Sequence, residues 1–345
     1  MKKSTKLVII AVLLAASIGT ILWGNAQADG KTLAADEDAE QTYAWPLATC
    51  STEETITHVF AKTFAEEVGR LSDGKMKIQV YPQSTLGGDR ELMESCKDGD
   101  IPFVVQSPAP QVSFMPELCV FDAPCAFDSI DEVREVIDNE KFQEIIQGVY
   151  KDAGYQLLGM ADQCFRVMTS SKPFTDMSSF KGQKIRTMEN AYHIQFWKAM
   201  GANPTPMTFS EVYIGLQQGT IDAQENAYEL IVSAKLYEQQ KYLINTNAVP
   251  DYITLVVSDE FLQGLPEDQQ EIIREAAANA QEKARESADD RRALRQQELE
   301  AEGMEVVDID EETWAEMQKA CEPVYDNIRR QAGDELMDLY MGIEK

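Results

Sequence analysis

Arg186 is the residue whose chemistry most needs an explanation. It follows the β-branched Ile185 in KIRTMEN, residues 184–190, at the end of a predicted strand. The chain has 59 acidic and 31 basic side chains, for a formal net charge of −28. An arbitrary arginine usually forms an ion pair. Salt screens distant carboxylates over about 8 Å, so Arg186 can dominate the field in its own surroundings.

The sequence offers no recognisable catalytic constellation. Its two histidines, His58 and His193, leave little for a histidine base or a histidine-rich metal site. The motifs H-E-x-x-H, G-x-S-x-G and G-x-x-x-x-G-K-[ST] do not occur, and LGGD at 86–89 is not a dinucleotide fingerprint. A catalytic pair of carboxylates stays an open alternative in so acidic a chain. Binding is favoured over catalysis, and we expect no catalytic residue, metal or cofactor.

Length and charge narrow the classes further. A chain of 345 residues is long enough for two cores, so two domains are expected. The strong negative charge repels nucleic-acid phosphates and anionic lipid surfaces, and the sequence has no concentrated basic patch. Nucleic acid is therefore excluded as an expected partner.

The N-terminus is typical of an export signal. Three lysines precede an apolar run at 7–23, and Ala26 and Ala28 occupy the small positions of an A-x-A cleavage site. We expect a signal peptide at 1–28, a flexible acidic lead at 29–41 and a periplasmic mature chain. An uncleaved membrane anchor is the alternative, because the run is at the lower length limit for a transmembrane helix.

Six cysteines would enter that oxidising compartment: Cys50, Cys96, Cys119, Cys125, Cys164 and Cys321. Their even number permits disulfides, although none forms C-x-x-C. A chain of this size does not need covalent cross-links, so buried free thiols are the alternative.

The elements that must position these residues alternate between short apolar strands and amphipathic helices. The first part of the chain predicts a β-α-β-α-β unit, and hence a mostly parallel sheet, from strands at 42–49, 76–82 and 101–106 and helices at 53–71 and 89–97. Further strands are predicted at 155–161, 164–170, 183–188 and 252–258, with a strand end at 220–226.

Three helices are predicted in the second half, at 191–200, 209–218 and 266–301. The last is long enough to span more than one small domain, at 1.5 Å per residue. Its apolar stripe is predicted to run from Ile272 to Leu294. Such a helix would brace two lobes, or else pack on a single lobe.

Residues 184–229 resemble the solute-binding subunits of tripartite ATP-independent periplasmic (TRAP) transporters, the DctP family. The chain contains, in order, a K-I-R strand, GANPTPM, FSEVYIGLQQG and DAQEN, which match the family's run of motifs. The resemblance extends to 80–101 and 265–277, and loosely from about Tyr43 to the C-terminus. It implies an α/β, type II-like periplasmic binding protein fold with a long helix spanning two lobes. We expect lobe I at 42–164 plus 252–291 and lobe II at 165–251 plus 292–345.

The resemblance also assigns roles to four residues. Arg186 corresponds to the arginine that holds the ligand carboxylate bidentately, a geometry that suits a guanidinium fork. Arg166 corresponds to a second arginine near the carboxylate, with a structural salt bridge as the alternative. Asn226 corresponds to an asparagine that bonds the carboxylate or a neighbouring hydroxyl, or else caps a helix. Phe209 corresponds to an aromatic on the ligand's apolar face, or else belongs to the core.

Departures from the family pattern bear on the ligand. Glu189 stands where sialic-acid binders commonly have Asn, and would repel a second carboxylate if it faced the cleft. Together with Gln106 and Asp89 it favours a sugar acid, an aldonate or uronate, over a C4-dicarboxylate or another organic acid. Cys50, at the end of the first strand, is expected to line the opposite wall.

The sequence therefore predicts a monomeric periplasmic binding protein that closes on a carboxylated small molecule and delivers it to TRAP membrane permease subunits. Two other classes stay open. A sugar-acid hydrolase or lyase would need a base, which the scarcity of histidine disfavours. A sensor-associated binding protein would report its ligand to a membrane receptor.

Overall fold

From residue 43 to residue 106, the strands and helices begin and end close to the positions that the hydrophobic pattern predicts. In the computed structural model, which describes residues 43–342, the parallel strands β1 (Tyr43–Ala48), β2 (Met76–Tyr81) and β3 (Phe103–Gln106) alternate with α1 (Ile56–Leu71) and α2 (Asp89–Lys97). The predicted β-α-β-α-β unit is confirmed. The predictions for residues 1–42, the signal peptide and the acidic lead, lie outside the described residues.

Two long antiparallel strands form the middle of the sheet, β4 (Tyr155–Ser170) and β8 (Tyr242–Ser258). The two strands predicted at 155–161 and 164–170 are one strand with an irregularity between Asp162 and Phe165, where Cys164 has φ 96°. Five of the eight strand pairs within residues 43–342 are parallel, as expected, but β8 pairs antiparallel with both β3 and β4. The sheet is mixed.

The remaining strands complete one sheet within residues 43–342: β5 (Lys184–Thr187), β6 (Asn203–Pro206), β7 (Ala223–Asn226) and β9 (Glu305–Asp308). The order is β2-β1-β3-β8-β4-β7-β5-β6, and β9 pairs with β8. Parallel pairing of β5 with β6 and β7 places the carboxyl ends of these short strands on one side.

Helices cover both faces of the sheet. Short 3-10 segments lie at 109–113, 116–122, 177–180, 209–211 and 236–238, so the helix predicted at 209–218 begins as a 3-10 turn. The other helices are α3 (Ile130–Ile137), α4 (Glu140–Asp152), α5 (Ala191–Ala199), α6 (Val212–Gln217), α7 (Tyr228–Ser233), α8 (Asp259–Gln263), α9 (Glu267–Ala301), α10 (Glu311–Ala320), α11 (Glu322–Ala332) and α12 (Asp334–Tyr340).

The 35-residue helix α9 contacts elements from both predicted lobes. Asn279 donates to Glu67 of α1 at 2.7 Å, and Arg295 pairs with Glu229 of α7 at 3.1 Å. Buried alanines from 276 to 288 form its stripe, but Leu294 is 61% exposed, so its assignment to the stripe was wrong. Six residues beyond position 288 rotate a side chain about 120° away from that stripe.

The lobe boundaries stay a prediction. They fall at the irregularity of β4 and at position 251 of β8, in the middle of the two long strands. One apolar cluster joins Val324, Met337 and Tyr340 of the C-terminal helices to residues at 92–157, which the sequence placed in lobe I. Within residues 43–342, no helix has the length and apolar character that crossing a membrane requires.

Candidate ligand-binding site

One cavity brings together seven of the eight predicted site residues. It lies where β1, β3, β5 and β7 end and beside the irregularity of β4. Carboxyl ends of parallel strands are the usual place for ligands in α/β sheets. The lining residues are Thr49, Cys50, Ser51, Thr57, Asp89, Gln106, Ser107, Gln163, Arg166, Arg186, Met188, Phe209, Asn226, Leu230 and Asp251.

Arg186 presents a buried donor without a partner to this cavity. Its Nε and Nη2 donate to the carbonyl oxygen of Met207 at 3.0 and 2.8 Å, whereas Nη1 has no hydrogen-bond partner. Burial and the charge of Arg166 lower the pKa of Arg186 to about 10, which still leaves it cationic at neutral pH. No ion pair to Arg186 exists among the described side chains. A buried unpaired guanidinium is costly, so this arrangement favours an anionic ligand.

Arg166 is already held by two buried carboxylates. Its Nε pairs with Glu225, its Nη1 lies 2.7 Å from Asp251, and its Nη2 donates to the Glu225 carbonyl and, at 2.9 Å, to Asn226 Oδ1. Of five guanidinium hydrogens, this leaves one on Nη1 for a ligand. The salt bridge that stood as the alternative at sequence level is what the structure contains, although Arg166 also lines the cavity.

Asn226 is the last residue of β7, and its side chain bonds to neighbouring side chains and does not cap a helix. Its Oδ1 accepts from Arg166, and its Nδ2 donates to Gln224. The helix-cap interpretation was wrong, because the N-cap of α7 is Ala227 and has no side-chain cap. Phe209 opens a 3-10 turn, half-buried, and both lines the cavity and packs on an apolar cluster, so its two interpretations coexist.

Asp89 and Gln106 form the opposite wall with Cys50. With its amide nitrogen turned toward Asp89, Gln106 donates to that carboxylate at 3.2 Å and to its carbonyl at 3.1 Å. Burial raises the pKa of Asp89, although the Cys50 thiol and Arg186 oppose the shift. The Cys50 thiol lies 3.6 Å from the carbonyl of Gly87, and burial raises its pKa, which disfavours a nucleophilic thiolate.

Glu189 is the one predicted site residue that the structure does not bring to the cavity. It is exposed and does not line the cavity, because it lies beyond the end of β5, where the chain turns toward α5. Its negative charge partly opposes the lowering of the Arg186 pKa, so it acts on that guanidinium from a distance. The acidic side chains that line the cavity are Asp89 and Asp251, and Asp251 is paired with Arg166.

The carboxylate of Glu225 joins Arg166 to a buried charge network. His193 lies between Asp122, 3.1 Å from Nε2, and Glu225, 3.4 Å from Nδ1. Burial alone would lower the pKa of His193, but the two carboxylates raise it to about 9. Burial likewise opposes ionisation of Glu225, yet Arg166 and His193 hold its pKa at about 2. His193 is thus a cation that balances buried carboxylates.

Sequence reasoning missed Asp251 and the polar residues Thr57 and Gln163. Asp251 interrupts the largely apolar stretch VPDYITLVV of β8, and an acidic residue inside such a stretch is a sign of a buried ion pair. Gln163 donates to Asp251 at 3.1 Å and sits in the irregularity of β4, whose geometry no sequence pattern announced.

Volume alone would not select this cavity. It measures about 50 Å³, against about 910 Å³ for a cavity between α3 and α12 and about 470 Å³ for one beside α9. Buried cations and a convergent polar wall distinguish the smaller one. Within residues 43–342, no group of three or more His, Cys, Asp or Glu side chains is arranged to hold a metal ion.

Comparison with known proteins points to one family. The family model for bacterial extracellular solute-binding proteins, family 7 (DctP), matches residues 47–331. The solute-binding protein RD1_1052 of Roseobacter denitrificans is 31% identical over 278 residues, 81% of this chain and 85% of that protein. Its crystal structure with bound L-galactonate has a TM-score of 0.80 at 29% identity, covering 88% of this chain and 99% of the other.

Other relatives bind different carboxylates. The ectoine-binding periplasmic protein TeaA of Halomonas elongata is 33% identical over 268 residues, 77% of this chain and 75% of that protein. A TRAP periplasmic solute-binding protein of Sulfurospirillum deleyianum, crystallised with succinate, has a TM-score of 0.83 at 28% identity. The match covers 88% of this chain and 100% of the other.

Proposed function

Because this chain belongs to family 7 of the bacterial extracellular solute-binding proteins, the DctP family of TRAP transporter subunits, we propose that it captures a sugar acid. An aldonate or uronate enters between two lobes, which close by a hinge, and the loaded protein delivers it to TRAP permease subunits. The mature chain works as a periplasmic monomer, and its role is binding rather than catalysis.

The unpaired Nη1 of Arg186 is the observation that carries the proposal. The ligand carboxylate takes this donor and the outer edge of the guanidinium, so a buried cation gains its counterion. Arg166 contributes at most its remaining hydrogen and otherwise fixes Asn226 beside the anion. Exclusion of water on closure strengthens these charge-assisted bonds.

The wall opposite Arg186 favours a hydroxylated ligand. Asp89 and Gln106 offer acceptors and donors to hydroxyl groups, with Thr49 and Ser51 nearby in the lining. A second ligand carboxylate would meet Asp89 there, which is unfavourable. Asp89, and not the exposed Glu189, is the side chain that would disfavour a second carboxylate. The L-galactonate held by RD1_1052 agrees with it, whereas the succinate bound in the Sulfurospirillum relative keeps a C4-dicarboxylate as the second candidate.

Hinge closure is supported by the middle of the sheet and by the volume of the cavity. The long strands β4 and β8 change register at 162–165, where an interrupted ladder bends most easily. The cavity volume is about 50 Å³. A sugar acid needs more room, so the walls must separate to admit it.

Titration calorimetry on the purified mature chain tests the proposal. We expect saturable binding of an aldonate or uronate, such as galactonate or galacturonate, and at least tenfold weaker binding of succinate and ectoine. The Lys184→Gln variant removes a positive charge from the exposed start of the same strand and is expected to bind normally. A preference for succinate would refute the ligand class while leaving the carboxylate site intact. No binding of any carboxylate would refute the function.

A further inference from the structure

Two cysteines from distant parts of the chain lie in one apolar cluster. Cys125 and Cys321 are 4% and 0% exposed, and both belong to the cluster around β5 and α5. Cys321 sits at the junction of α10 and α11. Gln318, one turn earlier, donates to the Cys125 carbonyl at 3.3 Å, and the Tyr325 hydroxyl, one turn later, donates to the Pro124 carbonyl. The helix face that carries Cys321 therefore lies against residues 124–125.

The neighbouring Cys321 thiol is the first cause of the raised pKa of Cys125, so the two side chains lie close together. The other four thiols each donate to a backbone carbonyl, as in Cys96 with Pro102 and Cys119 with Ile328. Within 43–342, none of these four has a second cysteine among the groups that shift its pKa. The backbone of Cys125 is fixed by its own contacts, with φ 55° and an N–H that donates to the Ala248 carbonyl.

We propose that Cys125 and Cys321 form a disulfide in the exported protein. The oxidant is a disulfide, either that of an extracytoplasmic thiol oxidoreductase or a small-molecule disulfide. One protein thiolate attacks it and releases one thiol, and the second protein thiolate then attacks the mixed disulfide and releases the other. Two protein S–H bonds and one oxidant S–S bond are lost. One protein S–S bond and two oxidant S–H bonds form.

The burial of Cys125 indicates when the disulfide would form. Contact with the second thiol and burial raise the pKa of Cys125 in the folded chain, so its reactive thiolate is scarce there. Oxidation is therefore expected during folding after export, and the finished bond is shielded from reductants. The inference rests on the extracytoplasmic character of the family and not on the identity of the ligand, so the two can fail separately.

The cross-link would join segments that support the site. Asp122, three residues before Cys125, accepts from Asn190 at 2.7 Å and pairs with His193. Cys321 connects the C-terminal helices. Closing a loop of this length restricts the unfolded chain strongly, so the bond raises stability while the ligand cavity, which neither cysteine lines, stays unchanged.

The test uses the full chain, exported to the periplasm of a bacterial host and purified without reductant. After denaturation and reaction with N-ethylmaleimide, intact mass should show adducts on four of the six cysteines, and on all six after dithiothreitol. Peptide mapping should recover a fragment that links Cys125 to Cys321. Six adducts without reductant, or a link between other cysteines, would overturn the proposal.

Thermal unfolding supplies a second readout. Dithiothreitol should lower the Tm of the wild-type chain by about 3–6 °C. Cys125→Ser and Cys321→Ser should each remove this dependence on reductant, whereas the control Cys96→Ser keeps it. If a serine variant fails to fold, the mass measurement and the wild-type Tm still decide. An identical Tm with and without reductant would count against the bond.

Discussion

The two arginines at the site should respond in opposite ways to the same substitution. Methionine at either position keeps most of the side-chain length and removes the charge. Arg186→Met is expected to abolish tight ligand binding and to change the stability of the unliganded protein little. Arg166→Met is expected to destabilise the unliganded protein strongly, because Glu225 and Asp251 lose their counterion.

The magnitudes follow from the contacts. Removing the partner of a buried carboxylate costs about 3–5 kcal/mol, so Arg186→Met should raise Kd about 150- to 5,000-fold. In the unliganded protein that variant loses two bonds to the Met207 carbonyl, about 1 kcal/mol each, but also removes an unpaired buried cation. The two effects oppose each other, so Tm should move by less than about 3 °C.

For Arg166→Met, Asp251 loses its charged partner and Glu225 keeps only His193, at a cost of about 3–5 kcal/mol. At about 2.1 cal/mol/K per residue over roughly 300 residues, this lowers Tm by about 5–8 °C. Calorimetric titration and differential scanning calorimetry on the same samples measure both quantities. Affinity of Arg186→Met within about threefold of wild type would refute the carboxylate assignment, and equal loss of Tm in both variants would refute the division of roles.

Three further outcomes are expected. The pKa of His193 is raised from 6.5 to about 9, so the stability that its charge contributes is complete below about pH 6.5 and is lost as pH rises through about 9. In urea unfolding between pH 6 and 10, the free energy of unfolding should therefore depend less on pH for His193→Gln than for the wild type. Equal pH dependence in the two proteins would contradict the charge network. Arg134→Ala should lower the free energy of unfolding in urea by about 2 kcal/mol, because buried Asp162 loses a bidentate partner, whereas Lys141→Ala, which breaks an exposed pair, should leave it unchanged. Similar losses in the two variants would refute the importance of burial for the Arg134 pair. Asp89→Asn should improve succinate binding relative to galactonate at least about fivefold in competition titrations, and an unchanged ratio would remove Asp89 from ligand selection.

Most of the fold near the chain's start was predictable, because its strands and helices carry strong local periodicity. The long central strands were less so. The irregularity at 162–165 depends on pairing with β8, about ninety residues away, and no local pattern encodes that partner. The same limit misplaced Leu294, because the stripe of α9 was extended by residue type without knowing what lay beside the helix.

Several residues of the site could be predicted from the sequence, but their pairing could not. Family motifs in the sequence identified Arg186, Arg166, Asn226 and Phe209, and the cavity contains all four. They could not tell that Arg166 is already paired while Arg186 is not, because the partners Glu225 and Asp251 come from two other strands.

The sequence by itself determined the family, the α/β class and the presence of Arg186, the cation that we propose holds an anionic ligand, since these depend on residue types in order along the chain. Only the tertiary structure decided which acidic residue faces that cation. Glu189 is three residues from Arg186 in sequence yet points to solvent, whereas Asp89, ninety-seven positions earlier, lies across the cavity. A charge acts through space, so the position of its neighbours is fixed by the packing of strands and helices and not by their separation in the chain.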